Sequence, residues 1–304
     1  LVFTTLGKVF SMRVFELPEL ARDAKGRALV NLLEFEQGEK VADCRAVGGF
    51  DDPNQFLMLA TRSGMVKKTA LEQYRRRRTK GLIAVKLREG DELVDAVVTK
   101  PGDELVLATG KGMAIRFPES DVRPMGRDTS GVRGIKLGSG DRLVGMVVAD
   151  PDATLLTVCE QGYGKRTPFG VGTPLSGPAP GEEGESADVE PAESAEAGGE
   201  EGDGEGSSGM RYRTQHRGGK GIRDIKTTAR NGQVVSIVSV RDEDQVLMMT
   251  ARGKIQRVNV REIRPMGRNT QGVRIMRLDE SDSLAAMVTV PPSEQEEADA
   301  TPTE

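Results

Sequence analysis

The sequence is poor in cysteine, histidine and aromatic residues, and each shortage excludes a class of protein. It contains two cysteines, one histidine and no tryptophan among 304 residues, and aromatic residues make up 4% of it. Cys44 and Cys159 cannot build a disulfide framework, and together with His216 they are too few for a zinc site. Both cysteines lie in apolar runs, so we expect them to be buried core residues. This cysteine usage fits a reducing, cytoplasmic location.

Long hydrophobic runs and a secretion signal are also missing. No run approaches the roughly 18 apolar residues that a membrane-spanning helix needs, so we expect no membrane partner. The sequence opens at Leu1 with neither an initiator methionine nor a signal-peptide pattern, in what reads as the middle of a strand. We therefore expect a fragment of a longer chain.

Catalytic signatures are missing as well. The sequence has no paired acids at a fixed motif, no metal-binding cluster and no nucleophile elbow. The stretch Gly218-Gly-Lys-Gly221 lacks the spacing and the following helix of a nucleotide-binding P-loop. The sequence thus predicts no catalytic residue, no metal site and no cofactor in this chain.

The net charge of -4 conceals an uneven distribution of charge. Residues 171–209 contain eleven acidic residues and no lysine or arginine, and residues 293–304 contain five more acidic residues and no base. The remainder has 31 acidic and 43 basic residues, a balance of +12 that is typical of proteins that bind polyanions. Large apolar side chains are almost absent from 171–209 and from 291–304, so we expect an acidic disordered insert and an acidic disordered tail.

Glycine is abundant, at 37 residues, and two sets of glycines recur along the chain. The first set is Gly7, Gly64, Gly112, Gly162 and Gly253. The second set is Gly26, Gly81, Gly131, Gly221 and Gly272. Once the acidic insert is left out, successive members of the first set lie 48 to 57 residues apart. Five units of about 50 residues predict a propeller-like array, folded over 1–170 and 210–290.

One unit shows the pattern of a blade. The apolar run 55–61 is typical of a strand covered on both faces, and similar runs recur at 104–109, 154–158 and 245–250. A glycine turn leads to a more polar strand at 65–71, and two further strands are predicted at 81–87 and 92–99. We expect these four strands to form one antiparallel blade of an all-β, β-pinwheel or propeller-like ring. The alternative is a β-sandwich with accidental similarity between its units.

Basic residues recur at a fixed position of the unit. Four residues after the first glycine lie Lys68, Arg116, Arg166 and Arg257, and in the first unit Arg13 lies close to that position. Lys67 and Lys165 precede two of these residues directly. We expect these side chains to point to the rim of the ring, where they would form a positive band that binds DNA.

Three connections between strands are also rich in bases. Two nearly duplicate one another, with Arg123, Arg127 and Arg133 in the one and Arg264, Arg268 and Arg274 in the other. The third carries five cations, namely Arg75, Arg76, Arg77, Arg78 and Lys80. Guanidinium groups, threonine hydroxyls and backbone N–H groups are the usual donors to phosphate oxygens. We predict phosphate contact at these loops, the alternative being that they only increase solubility.

The most specific motif follows the acidic insert. It reads Gln215, His216, Arg217, Gly218, Gly219, Lys220 and Gly221. Three glycines let the backbone approach a partner closely, and two cations supply charge, so we include the whole stretch among the predicted DNA-binding residues.

These segments resemble the C-terminal domain of gyrase A subunits, over about 1–170 and 210–290. The resemblance rests on the repeats, on Gly7-Lys-Val-Phe-Ser-Met-Arg-Val14, on Gly162-Tyr-Gly-Lys-Arg-Thr167 and on the 215–221 motif, which is similar to that family's box Q-R-R-G-G-K-G. In that family the box lies in the first of six repeats, whereas here it lies in the next-to-last repeat and His216 replaces an arginine.

The resemblance implies a domain that wraps duplex DNA in a positive sense around its basic rim, within a type IIA topoisomerase that introduces negative supercoils. It implies, as partners in an A2B2 assembly, the gyrase A breakage-reunion domain and the gyrase B subunit, with ATP and Mg²⁺ bound elsewhere and a cytoplasmic, nucleoid-associated location. Two alternatives are the C-terminal domain of the A subunit of topoisomerase IV and a propeller that acts as a protein-interaction scaffold. A further expectation is that the acidic insert and tail compete with DNA for the rim.

Overall fold

A computed structural model describes residues 1–19, 28–171 and 211–290 of the chain. The acidic insert and tail predicted at 171–209 and 291–304 lie outside the described residues, apart from Val171, as does Gly26. The strands are β1 (Val2–Thr4), β2 (Lys8–Phe10), β3 (Val41–Cys44), β4 (Phe56–Thr61), β5 (Met65–Ala70), β6 (Leu82–Ile83), β7 (Leu93–Thr99), β8 (Glu104–Thr109), β9 (Met113–Pro118), β10 (Val132–Arg133), β11 (Leu143–Val148), β12 (Thr154–Cys159), β13 (Tyr163–Pro168), β14 (Ile222–Arg223), β15 (Val234–Val240), β16 (Gln245–Thr250), β17 (Ile255–Asn259), β18 (Val273–Arg274) and β19 (Leu284–Val290).

The helical elements of the described residues are five 3₁₀ turns, at Val14–Glu16, Leu29–Asn31, Leu71–Tyr74, Glu119–Asp121 and Val260–Glu262. None of these is long or apolar enough to cross a membrane.

The strands form five antiparallel sheets, and each sheet is one blade of a propeller-like ring. The strand orders are β3-β1-β2-β6, β10-β5-β4-β7, β11-β8-β9-β14, β15-β12-β13-β18 and β17-β16-β19. The edge strands β3, β7, β11, β15 and β19 contact one another in succession, so they line the centre of the array. The opposite edges, formed by β6, β10, β14 and β18, make up the rim. The predicted all-β fold with five repeats is confirmed.

The fourth strand of each complete blade comes from the following repeat. β6 pairs with β2 of the first blade, and β10, β14 and β18 pair in the same way with β5, β9 and β13. The prediction that the four consecutive strands of one unit form one blade is therefore wrong in this respect. Alternation of apolar and polar residues marks a segment as a strand but does not specify the edge with which it pairs. The fifth sheet has three strands among the described residues.

The two recurring glycines lie where an exchanged strand crosses a hairpin. Gly131 has φ +78°, and a Cβ atom at this residue would lie 2.3 Å from the carbonyl oxygen of Val66. Gly112 has φ +80°, and a Cβ atom there would lie 2.1 Å from the carbonyl oxygen of Ile225. Glycine is required at both because the backbone is left-handed and no side-chain atom fits. The glycines therefore recur because an exchanged strand packs closely against each hairpin.

The hydrophobic core lies between successive blades. On β4, Leu57 and Leu59 belong to the cluster shared with the first blade, whereas Met58 and Ala60 belong to the cluster shared with the third. All four side chains are fully buried. The continuous apolar run is therefore covered on both faces, as predicted, and its burial stabilises the stacking of blades by about 25 cal/mol per Å² of apolar surface.

The two cysteines differ in their surroundings. Cys159 is fully buried, as predicted, and burial raises the pKa of its thiol to about 12. The same prediction is wrong for Cys44, which is exposed. Cys44 ends β3, an edge strand of the first blade, and the burial pattern of that strand leaves its terminal residue open to solvent.

Candidate nucleic-acid interface

Four loops at the rim lead the chain from one blade to the outer strand of the preceding blade. We name them the first to fourth rim loops, and they comprise residues 75–81, 123–131, 213–221 and 264–272. Each ends at a glycine of the second set and continues directly into β6, β10, β14 or β18. The 215–221 motif and the three predicted basic connections lie in these loops, apart from Arg133 and Arg274, which follow in β10 and β18. The structure therefore places them at equivalent positions.

The second, third and fourth rim loops share one backbone geometry. The N–H groups of Met125, Gln215 and Met266 donate to the carbonyl oxygens of Lys68, Arg116 and Arg166, at 2.9, 2.7 and 2.8 Å. The donors occupy the same place in their loops, and the acceptors occupy the same place on their strands. The 215–221 motif is thus one member of a repeated set of loops.

Most cations of the rim loops face solvent. The side chains of Arg123, Lys220 and Arg264 are exposed, and those of Arg127, Arg217 and Arg268 are half-buried. Arg133 and Arg274, which end β10 and β18 directly after their loops, are exposed as well. In the first rim loop Arg76, Arg78 and Lys80 are exposed, Arg75 pairs with Asp51, and Arg77 pairs with Glu16 at 2.7 Å. Arg13 is exposed and lies over the ring of Phe15, 5.8 Å from its centroid.

The predicted positive band on the second strand of each blade is not at the surface. Lys68, Arg116 and Arg166 are only 5%, 1% and 3% exposed, and each forms an ion pair. Lys68 pairs with Glu119, Arg116 with Glu104 at 2.6 Å, and Arg166 with Asp242 at 2.5 Å. The expectation that these cations point to the rim is therefore wrong.

The reason is that each of these strands is crossed by a rim loop. The exchanged strand and its loop cover the middle of β5, β9 and β13, so a cation there is withdrawn from water and needs an acidic partner. Arg257 occupies the same position on β17 of the fifth blade and is exposed. The fifth sheet has no exchanged strand among the described residues, which leaves this position uncovered.

Lys67 and Lys165, also predicted to contact DNA, are 1% and 0% exposed. Lys67 Nζ donates to the carbonyl oxygens of Ala84, at 2.6 Å, and of Arg127. Burial, and next the positive charge of Arg127, lower the pKa of Lys67 to about 7. Lys165 Nζ pairs with the carboxylate of Asp224 at 2.7 Å. Lys67 holds the second rim loop from beneath, and both lysines are closed to a phosphate group in this structure.

The 215–221 motif presents one exposed cation, Lys220, beside the exposed Gly219. Gln215 and His216 are half-buried, and within the described part of the chain Gln215 Oε1 and His216 Nδ1 have no hydrogen-bond partner. Gly218 and Gly221 have φ +83° and +75°. Arg217 turns inward and donates through Nη1 to the carbonyl oxygen of Arg133 at 2.6 Å.

The structure also reveals a row of surface cations that the sequence reasoning missed. Five residues after the glycine that ends each rim loop lie Lys86, Lys136, Lys226 and Arg277, and all four are exposed. Within 1–19, 28–171 and 211–290 none of these four side chains forms an ion pair, so their charges face solvent. Counting from the second glycine of each unit, instead of the first, would have found this row.

The row lies between successive rim loops. The backbone N–H groups of Lys86, Lys136 and Lys226 donate to the carbonyl oxygens of Thr129, Gly219 and Thr270 in the next loop, at 3.0, 2.9 and 2.8 Å. Two further arginines missed by the sequence reasoning, Arg213 and Arg223, are exposed on the third rim loop and on β14. Together with the loops, these residues form an alternating basic perimeter.

The chemistry of this perimeter is that of binding. Its side chains are hydrogen-bond donors of positive charge, and in the described ranges no group of three histidine, cysteine or acidic residues is arranged to hold a metal ion. Guanidinium and ammonium groups at regular intervals suit the phosphate groups of a polyanion.

Comparison with known proteins relates the chain to one family. The family model described as DNA gyrase C-terminal domain, beta-propeller, matches residues 1–47, 55–100, 103–150, 211–241 and 244–291. The five matched ranges correspond to the five repeats.

Curated relatives agree with this match. The chain is 38% identical over 300 residues to the DNA gyrase A subunit of Escherichia coli and 36% identical over 289 residues to that of Mycobacterium tuberculosis, covering 98% and 94% of the chain. It spans 30% of the length of each of these relatives.

Two solved structures share the fold at 22% identity. One is a C-terminal domain of DNA topoisomerase IV (TM-score 0.75, covering 98% of this chain and 81% of that one), and the other is a DNA gyrase A C-terminal domain (TM-score 0.72, covering 95% and 80%). The sequence relatives and the family model thus favour gyrase over topoisomerase IV, and the chain belongs to the DNA gyrase C-terminal domain family of β-propellers.

Proposed function

We propose that this domain binds duplex DNA along its rim and wraps it, as part of a DNA gyrase that introduces negative supercoils. The observation that carries the proposal is the row formed by Lys86, Lys136, Lys226 and Arg277, four exposed cations at one repeat position on consecutive blades. A row at repeat spacing offers one phosphate contact per blade along a curved path, which a bent duplex can follow.

The charge of the rim loops supports binding that does not depend on DNA sequence. Taken together with the strands that follow them, three rim loops (75–83, 213–223 and 264–274) contain bases and no acidic residue. The second loop with its strand (123–133) contains three arginines and one aspartate, Asp128. Helices that could read bases in the major groove are absent from the described residues, whose helical elements are short 3₁₀ turns. DNA binding by this surface therefore depends on phosphate contacts and on bending of the duplex.

The proposed partners are inferred from the relatives, which are A subunits of DNA gyrase and are about three times as long as this chain. In our proposal a breakage-reunion domain of the same polypeptide cleaves the DNA, and a gyrase B subunit completes an A2B2 assembly. ATP and Mg²⁺ act in those other parts, and the assembly works in the cytoplasm on the nucleoid. In our proposal the described part of this domain supplies the DNA-binding surface and leaves catalysis and cofactor binding to those other parts.

The alternative of a protein-interaction scaffold predicts apolar or mixed-charge rim loops. The loops instead carry repeated arginine and lysine side chains, most of them exposed. The solved topoisomerase IV domain shares this fold, but the family model and the curated relatives favour gyrase.

The experiment is to relax circular DNA in the presence of the 304-residue chain and to measure the linking number after the protein is removed. A wrapping domain leaves positive writhe trapped in the circles, in proportion to the protein bound. A variant with Lys86, Lys136 and Lys226 changed to glutamine should trap less. Binding without trapped writhe would contradict wrapping, and no binding at low salt would contradict the proposal as a whole.

A further inference from the structure

Three arginines of the rim loops occupy one position and make one kind of bond. Arg127, Arg217 and Arg268 each stand four residues before the glycine that ends their loop. In each, Nη1 donates to a backbone carbonyl oxygen. The acceptors are Ile83 for Arg127 at 3.4 Å, Arg133 for Arg217 at 2.6 Å and Arg223 for Arg268 at 3.3 Å. The acceptors are equivalent too, since each lies two residues after the glycine of the preceding rim loop. Each guanidinium therefore reaches from its own loop back to the strand that follows the previous loop.

A backbone bond runs in the opposite direction at each of these junctions. The N–H groups of Lys86, Lys136 and Lys226, which lie three residues after the end of β6, β10 and β14, donate to the carbonyl oxygens of Thr129, Gly219 and Thr270 in the following loop. The arginine bond and the backbone bond together close a reciprocal clasp between consecutive rim loops. The clasp repeats three times around the described perimeter.

The clasp of the third rim loop is reinforced by further bonds. Arg217 Nε also donates to the carbonyl oxygen of Asp121 at 3.1 Å, and the N–H of Gly218 donates to the carbonyl oxygen of Gly134 at 2.8 Å. This loop contains the 215–221 motif. Its arginine is therefore engaged within the protein, while the neighbouring Lys220 is exposed.

The loops that carry these arginines are also fixed from beneath. Lys67 Nζ donates to the backbone carbonyl of Arg127, and Thr167 Oγ1 donates to that of Met266 in the fourth rim loop at 2.9 Å. The arginines are half-buried, unlike most cations around them. Their hydrogen-bonding capacity is thus directed into the protein.

We propose that Arg127, Arg217 and Arg268 are positioning residues that set the spacing between consecutive DNA contacts at the rim. The inference rests on the proposed function, because it assumes that Lys86, Lys136, Lys226 and Arg277 contact phosphate groups. A perimeter held at fixed spacing does not have to be ordered when DNA binds, so more of the contact energy remains to bend the duplex.

The test compares Arg217→Lys with Lys220→Gln in the 304-residue chain. Lysine keeps the charge of Arg217 but loses the planar fork that reaches two carbonyl groups. Lys220→Gln removes an exposed charge from the same loop and leaves the clasp intact. Duplex affinity is measured across a range of salt concentrations, trapped writhe is measured per bound protein, and hydrogen exchange is followed at the Lys136 amide.

For Arg217→Lys we expect an unchanged slope of log affinity against log salt, faster exchange at the Lys136 amide, and trapped writhe reduced by roughly twofold or more. For Lys220→Gln we expect the slope to become shallower by about 0.9, while the trapped writhe per bound protein is retained. An Arg217→Lys variant that wraps like the parent overturns the inference. Circular dichroism checks folding, and if Arg217→Lys unfolds, Arg268→Lys carries the same test through its 3.3 Å clasp bond. If the parent chain itself neither binds nor wraps DNA, the proposed function is wrong. Measuring duplex affinity and trapped writhe on the parent distinguishes this failure from a failure of the inference.

Discussion

The guanidinium of Arg116 donates to the carbonyl oxygen of Tyr212, a residue that lies 96 positions further along the chain, at 3.2 Å. The same nitrogen, Nη1, also donates to the carbonyl oxygens of Phe169 and Gly170 at 2.9 and 3.1 Å. Residues 169 and 170 precede the acidic insert and Tyr212 follows it, so one buried arginine joins both ends of that insert to β9. The rings of Phe169 and Tyr212 lie 6.1 Å apart and close the same point.

Replacing Arg116 with methionine should destabilise the domain by about 3–5 kcal/mol, because the Glu104 carboxylate and three carbonyl groups lose their donor in a dry site. Chemical denaturation followed by circular dichroism measures the loss. Arg257→Met is the matched control, since Arg257 occupies the same repeat position in the fifth blade but is exposed, and it should cost less than about 1 kcal/mol. Equal losses in the two variants would contradict the assigned role of the buried cation.

A second prediction concerns pH and Lys67, whose pKa is lowered to about 7 by burial and then by the charge of Arg127. Between that value and the ordinary lysine pKa of about 10.4, the unfolded chain binds a proton at this residue that the folded protein does not. Stability should therefore rise with pH from 7 to 9, by up to about 1.4 kcal/mol per pH unit from this group.

The matched variant is Lys67→Met, which removes the titrating group from the same buried site. The free energy of unfolding, measured at several pH values, should rise less steeply with pH in this variant than in the parent. Parallel pH profiles for the two proteins would show that Lys67 keeps an ordinary pKa.

The third prediction tests the glycine repeat. Gly131→Ala places a Cβ atom 2.3 Å from the Val66 carbonyl oxygen, and the Val66 carbonyl carbon at 3.0 Å and Lys67 Cβ at 3.1 Å leave little room to relax. We expect a loss of more than about 3 kcal/mol, since a clash is added to left-handed strain. Gly90→Ala is the control, with φ +73° and no atom within 4 Å of the added Cβ, and it should lose only about 1–2 kcal/mol. Thermal unfolding compares the two, and similar shifts would mean that strain alone explains both.

A fourth prediction concerns the acidic insert. Replacing residues 172–209 of the insert by a short glycine-serine linker should preserve the fold, because Arg116 and the ring contact hold both ends together. If the insert competes with DNA for the basic rim, the deletion tightens duplex binding at low salt, and this gain shrinks as salt screens the charges. The control keeps the length of the insert and changes its acidic residues to the corresponding amides. Unchanged affinity in both variants would exclude the competition.

Much of the fold could be predicted from the sequence, but not the pairing of its outer strands. The apolar run of β4 and the turn at Gly64 mark a hairpin because local pattern and turn chemistry specify it. The partner of β6 depends on a contact between blades, and its two residues carry no pattern that identifies β2 as the neighbour. The recurring glycines lie at that contact. Their positive φ is one reason for the repeat, and the close approach of the exchanged strand is the other.

The expected solvent exposure of the basic residues is observed in the loops but not on the covered strands. Arg123 and Arg264 lie in polar turns, where side chains normally face solvent. Lys68 and Arg116 lie on β5 and β9, strands with polar residues that rim loops cover. Because the covering segment is distant in sequence, the residues around each cation do not indicate its burial. Their acidic partners, Glu119 and Glu104, could not be assigned without the fold.

The most direct test of the central claim is the salt dependence of duplex binding by a variant in which Lys86, Lys136, Lys226 and Arg277 are all changed to glutamine. If each of the four contacts one phosphate group, the slope of log affinity against log salt should fall by about 3 to 4 relative to the parent. The control exchanges the same four residues between lysine and arginine, which keeps every charge and should keep the slope. A quadruple glutamine variant with the slope and affinity of the parent would contradict the account of this perimeter as the DNA-binding surface.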